Sequence, residues 1–166
     1  MSMLDPLIAE LEQESATTRR VLERVPEGRF DWKPHEKSMH LGRLAMHVAT
    51  TPLEIAKIAT RDEMQVSEFE PSPEVKTTAE VLAAHDKGLA EAKATLSGMD
   101  DTTATGMWRV LDGDKELMAM PRIALIRAIM LNHVYHHRGQ LTVYLRLLDV
   151  PVPSVYGPSA DENTFE

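Results

Sequence analysis

Residues 121–149, PRIALIRAIMLNHVYHHRGQLTVYLRLLD, form the longest helical pattern in this sequence. Apolar side chains and two histidines recur there at steps of three and four residues, which keeps them on one face of an α-helix. These residues are Ile126, Met130, His133, His137, Leu141, Tyr144 and Leu148. Pro121 is suited to the start of the helix, and Pro151 and Pro153 stop it. At about 1.5 Å per residue, such a helix spans on the order of 40 Å.

Two more helices are predicted from their start signals and their apolar spacing. Residues 5–25 carry a stripe of apolar or small side chains, with Asp5 as the expected N-cap and Pro6 in the first turn. Residues 78–97 follow the segment Thr77-Thr78-Ala79-Glu80. This segment reads as a capping box, in which the threonine hydroxyl and the glutamate carboxylate each bond a free amide of the first turn.

The remaining helix is predicted over about residues 39–60, after Ser38. Leu44, Val48 and Ile55 lie on its apolar side, but Pro52 removes one backbone hydrogen bond within it. The pattern is compatible with one kinked helix or with two shorter helices joined at Thr51.

Four amphipathic helices with few aromatic residues are best buried as an antiparallel four-helix bundle. The connections are long, and one of them contains Asp112-Gly113 between two partly alternating apolar runs, a pattern typical of a β-hairpin. We therefore expect an all-α bundle, with a small β-hairpin before the last helix and an extended tail over residues 150–166. No repeat or second domain is visible, so residues 1–166 are predicted to form one domain.

The composition excludes several classes of partner. With 26 acidic and 18 basic residues, the net charge is −8. The sequence has no run of lysine or arginine that would favour binding to nucleic acid or to an anionic membrane. The longest uncharged stretch, residues 44–53, is about half the length of a membrane-spanning helix, and no signal peptide is apparent. Since there is no cysteine, a cytoplasmic location is expected, and any metal site must use His, Asp or Glu.

His133 and His137 are the first candidates for such a site. They lie about 40° apart on the last helix, one turn from each other and on its apolar face. Buried imidazoles require partners, and histidines at i and i+4 can bind a single metal ion. This spacing alone is weak evidence, because structural histidines bonded to neighbouring side chains show it too.

A catalytic zinc-type site needs about three protein ligands and an open position, so a third histidine is required. His47 fits best, on the flank of the apolar face of the second helix, and His40 on the same flank is a weaker candidate. His85 lies on the apolar face of the third helix, where a half-buried histidine with one polar partner is expected.

Two other histidines are expected to lie outside the site. His136 points about 60° from His133 and 100° from His137, which favours an exposed or interface position. His35 precedes the second helix and is expected in solvent.

Gln140 and Tyr144 continue the face of His133 and His137, so they are candidates to orient a bound water or to contact a substrate. The alternative is that Gln140 is an amide at the core edge and Tyr144 a bundle aromatic. Arg138 is turned away from this face, and an ion pair with a carboxylate is expected for it.

Several segments together resemble the DinB/YfiT-like family of metal-binding four-helix bundles. They are Trp32-Lys33-Pro34, Leu44-Ala45-Met46-His47, Met120-Pro121-Arg122, residues 132–140 with Leu145-Arg146, and the tail 150–162. The resemblance implies that His47, His133 and His137 bind one divalent metal ion, with nickel or zinc expected and iron or manganese as alternatives. It also implies a homodimer, and a small-molecule thiol as cosubstrate for the assigned members, which are transferases and isomerases.

Two functions follow. The first is a metal-dependent enzyme that transfers a small thiol to an electrophile or hydrolyses a small substrate with metal-bound hydroxide, because three neutral imidazoles leave the ion its full charge. The second is a non-catalytic metal-binding or stress-associated interaction protein, in which the ion braces two helices. Three protein ligands with exchangeable water favour the first, and closure by a fourth side chain such as His85 or His40 favours the second. A metal-free bundle with hydrogen-bonded core histidines is a third hypothesis.

Overall fold

The computed structural model describes residues 2–163 and contains the predicted bundle. Its long helices are α1 (Asp5–Leu22), α2 (Leu41–Ile58), α3 (Thr78–Ser97) and a last helix in three parts. These parts are α5 (Arg122–Leu125), a π-helical stretch (Ile126–Asn132) and α6 (His133–Leu147). Helix α2 packs against both α3 and α6. No helix among residues 2–163 is long and apolar enough to span a bilayer.

Of two helix starts predicted from capping signals, one is confirmed and one is wrong. The capping box before α3 is confirmed, since the Thr77 hydroxyl accepts a bond from the amide of Glu80 at 3.2 Å and the Glu80 carboxylate accepts one from the amide of Thr77 at 3.0 Å. The assignment of Asp5 as N-cap is wrong. Leu4 is the N-cap of α1, and Asp5 is the first helical residue, whose carboxylate accepts a bond from the amide of Ser2.

Helix α2 continues through Pro52, so the alternative of two shorter helices is wrong. The proline removes one backbone donor, the one that would bond the carbonyl of Val48. The hydroxyls of Thr50 and Thr51 donate to other carbonyls, those of Met46 and His47, at 3.0 and 2.6 Å. The helix is continuous through the segment that carries His47.

The predicted hairpin is present as β2 (Met107–Asp112) and β3 (Lys115–Pro121), which pair antiparallel. Gly113 in its turn has a φ of 59°, a left-handed conformation that favours glycine. Three short elements were not predicted: strand β1 (Glu63–Gln65), which pairs parallel with β2, a 3₁₀ turn (Val66–Glu68) and helix α4 (Asp101–Thr105).

Buried apolar side chains form two clusters along the bundle. One surrounds Trp108 of β2 and Leu125 of the last helix, so the hairpin closes one part of the core. The other contains Leu44 and Val48 of α2 and Leu141 of α6. The second cluster packs α2 against α6 and fixes the part of each helix from which the candidate metal ligands project.

Residues 150–163 form a tail without helix or strand, and residues 164–166 lie outside the described part. It is held to the bundle by polar contacts. Arg146 of α6 pairs with Asp161, and Arg20 of α1 pairs with Glu162. Asp161 also accepts a bond from the amide of Val152 at 2.8 Å.

Candidate metal centre

Three histidine side chains meet where α2 crosses α6. The Nε2 atom of His133 lies 3.0 Å from Nε2 of His47 and 3.1 Å from Nε2 of His137. One ring nitrogen from each of the three lies within 4.8 Å of the others. Ligands of one ion at about 2.0–2.1 Å are separated by distances of this order. The three predicted ligands are therefore brought together, and they could hold one metal ion.

The helices determine this convergence. His133 and His137 are one turn apart at the start of α6, immediately after the π-helical stretch, so their rings project from the same face. His47 projects from α2 across the interface, and its ring lies edge to face with both others, at centroid distances of 5.2 and 4.6 Å. π-helical stretches are rare and occur often at functional sites.

The surroundings of all three imidazoles favour the neutral form, which is the form that binds metals. Burial lowers the pKa of His47 from its ordinary value of 6.5 to about 4, with contributions from the nearby His137 and His133 and from Arg43. Burial is also the main cause that lowers the pKa of His133 and of His137. Neutral nitrogens of this kind suit zinc, nickel, copper or iron better than magnesium or calcium, so the residues fit the ion that the sequence predicts.

Gln140 fixes the tautomer of His137. The amide oxygen Oε1 accepts only, so the bond of 2.7 Å between this atom and His137 Nδ1 requires a hydrogen on Nδ1. The lone pair of the neutral ring is then on Nε2, which faces the cluster. The Gln140 amide nitrogen in turn donates to Nε2 of His136 at 3.0 Å. A partner of this kind on the other ring nitrogen is usual for metal-binding histidines.

The other histidines do not join the cluster. His35, His40 and His136 are exposed, as the predictions for His35 and His136 require. His85 is more deeply buried than expected, at 3% exposure, but its Nδ1 has the single polar partner that was predicted, Asp86 at 3.2 Å. Within residues 2–163, no fourth His, Asp or Glu belongs to the group.

Tyr144 and Arg138 have partners outside the cluster. The Tyr144 hydroxyl donates to the carbonyl of Met39 at 3.3 Å, and its ring packs edge to face against Trp32 at 5.7 Å. Its contact with a substrate or water stays a prediction. Arg138 forms the expected ion pair, with Glu14 at 2.7 Å, and is almost fully buried.

Arg43 acts electrostatically on His47, and the sequence patterns did not select it. It precedes His47 by one helical turn, and its positive charge contributes to the lowered pKa of His47. The spacing of four residues on one helix could have revealed it, by the same argument that pairs His133 with His137.

Fold and site together define a helical-bundle protein with a three-histidine candidate metal centre. The profile of the DinB family matches residues 1–165, and the chain belongs to this family. It is 26% identical over 161 residues to the uncharacterized protein YrdA of Bacillus subtilis (strain 168), covering 96% of this chain and 91% of that protein.

Two solved structures share the fold. A DinB-like protein from Bacillus cereus ATCC 10987 superposes with a TM-score of 0.72 at 22% identity, covering 89% of this chain and 94% of that one. The DinB-like protein YjoA from Bacillus subtilis superposes with a TM-score of 0.69 at 19% identity, covering 91% of this chain and 97% of that one.

Proposed function

We propose that this protein is a metal-dependent enzyme that transfers a small external thiol to an electrophile. His47, His133 and His137 would hold one divalent ion, with nickel or zinc expected. The observation that carries the proposal is the convergence of three neutral imidazole nitrogens with no fourth side-chain ligand among the described residues. Three protein ligands with an open position are typical of catalytic sites, whereas structural sites are closed by four.

The ion would supply a double positive charge that lowers the pKa of a thiol or water molecule bound to it. In the transfer, the thiol loses its proton to solvent and its sulfur forms a bond to the electrophilic carbon, while the leaving group departs with its electron pair. Since the chain has no cysteine, the sulfur must come from a small molecule.

The protein residues have distinct roles in this proposal. Gln140 holds the proton on Nδ1 of His137 and so keeps Nε2 available. His47 and His133 are only partly buried, which gives a small molecule access to the cluster from solvent. We further propose that the protein acts in the cytoplasm as a homodimer, on small molecules rather than on nucleic acid or membranes.

Substitution of Co²⁺ at the site tests whether it is open. Addition of 2-mercaptoethanol to the Co²⁺-loaded protein is expected to produce a sulfur-to-metal charge-transfer band, and the titration of that band with pH should give a thiol pKa below the ordinary value of about 8.5. A Co²⁺ spectrum that no thiol concentration changes would indicate a closed site. That result would favour the non-catalytic metal-binding alternative.

A further inference from the structure

A cavity of about 600 Å³ lies at the start of α2, the helix that carries His47. It is bounded by the segment before α2, by the start of α2 and by the segment 71–76 before α3. Phe30 contributes to its wall, and Gly42 lies against the Phe30 ring. This volume is within the range of about 300–1,000 Å³ that is usual for small-molecule sites.

The walls of this cavity carry two positive and two negative side chains, which are Arg43, Lys76, Asp31 and Glu74. None of these four side chains forms a hydrogen bond or an ion pair with another residue in the part of the chain that the structure describes. Arg43 is unusual in this respect. Except for Arg29, every other arginine forms an ion pair with a carboxylate within residues 2–163.

Arg43 connects the cavity with the candidate metal centre. The three histidines do not line the cavity, but Arg43 does, and it precedes His47 by one turn on α2. Its charge acts on His47. Along the backbone of α2, Arg43 and His47 are separated by about one helical turn, or roughly 5–6 Å.

We infer that this cavity binds the ammonium and carboxylate groups of a small amino-acid-derived molecule, whose reactive end extends to the three histidines. Arg43 and Lys76 bind the carboxylate, because a guanidinium group offers a planar fork of donors that matches it. Asp31 and Glu74 accept bonds from the ammonium group. The inference about the reactive end rests on the proposed function, whereas binding in the cavity does not.

Binding in the cavity can be measured on the metal-free protein, with the sulfur chemistry blocked. The probe is S-methylglutathione, a tripeptide thioether that has one ammonium and two carboxylate groups. In an NMR titration of the chelator-treated protein, its addition is expected to shift the amide signals of Arg43 and Lys76 saturably. Arg43→Gln should weaken binding about tenfold, the effect of losing one hydrogen bond to a charged group.

Arg29→Gln is the matched control. Arg29 is an exposed arginine two residues before Asp31, it forms no ion pair within residues 2–163, and it does not line the cavity. Its substitution changes the net charge equally, so it should alter the dissociation constant less than twofold. Equal effects of the two substitutions, or no saturable shift up to about 10 mM probe, would overturn the inference.

The ammonium side needs a second comparison. N-acetylation of the probe removes its positive charge, so the acetylated probe should bind more weakly to the wild-type protein. Glu74→Gln should weaken binding of the unmodified probe and leave binding of the acetylated probe unchanged. Equal losses for both probes would contradict the assignment of Glu74. Failure of the Co²⁺ thiol test with intact probe binding would reject the proposed function alone.

Discussion

The Nδ1 atom of His137 donates a hydrogen bond of 2.7 Å to Oε1 of Gln140, and Nε2 of the same ring lies 3.1 Å from Nε2 of His133. One side chain thus determines which nitrogen of His137 is free to bind a metal ion. Although Gln140 is exposed, its contact with His137 gives it a role in the candidate metal centre.

Replacement of Gln140 by leucine should weaken metal binding about 10- to 100-fold, the usual loss when the partner of a metal-binding histidine is removed. Gln140→Glu keeps an acceptor at the same place and should remain close to the wild type. Competition with a chromophoric chelator for Zn²⁺ measures both affinities. A leucine variant that binds Zn²⁺ as tightly as the wild type would show that the contact does not position the ring.

Metal content should be one divalent ion per chain in untagged protein purified without added metal. His47→Ala and His133→Ala should each lose most of it, because two imidazoles bind far more weakly than three. His136→Ala is the control on the same helix, and its content should stay nearly unchanged, since His136 is exposed and does not belong to the group of three ligands. Elemental analysis of the folded variants measures their metal content. Full metal content in His47→Ala and His133→Ala would exclude this ligand set.

The bundle, the hairpin and the three histidines were predictable because their signals are local. The apolar spacing defines one buried face on α2 and one on α6. Because these two faces pack together, His47 on α2 is directed toward the same interface as His133 and His137. The pairing of Asp112 with Lys115 around Gly113 likewise follows from a turn signal.

The remaining features depend on contacts between distant segments. Strand β1 has three residues, of which only Met64 is buried, and it exists because it pairs with β2. The steps of three and four residues predict a regular α-helix here, so the pattern does not indicate the π-helical stretch before His133. His85 is buried more deeply than the predicted half-buried position, and this burial likewise depends on the packing of the whole bundle.

Arg138 and Arg146 offer a matched test of buried and exposed ion pairs on α6. Arg138 is 1% exposed and pairs with Glu14, while the Arg146 side chain is 48% exposed and pairs with Asp161. Arg138→Ala should lower the free energy of unfolding by about 3–5 kcal/mol, because it leaves a largely buried carboxylate without its positively charged partner. Arg146→Ala should cost about 0–1 kcal/mol. Urea unfolding measures both, and equal losses would contradict the distinction.

Acid should destabilise the metal-free protein through the histidine cluster. The pKa of His47 falls from 6.5 to about 4 on folding, and those of His133 and His137 are also lowered, mainly by burial. Between about pH 6.5 and 4 the unfolded chain therefore binds more protons than the folded protein, so the free energy of unfolding falls as the pH falls. His47→Ala should flatten this decline, whereas His35→Ala, at an exposed site, should not.

A bound metal ion should change this pH dependence in a defined direction. An ion that binds the folded protein raises the melting temperature, and protons compete with it for the same imidazole nitrogens. The difference in melting temperature between metal-loaded and chelator-treated protein should therefore be largest near pH 7 and should shrink as the pH falls through the pKa of His47, about 4, with up to three protons displacing one ion. Superimposed melting curves at pH 7 would exclude an ion that joins α2 to α6. A difference that persists unchanged at about pH 3.5 would contradict an all-histidine ligand set, because protons should by then have displaced the ion from His47.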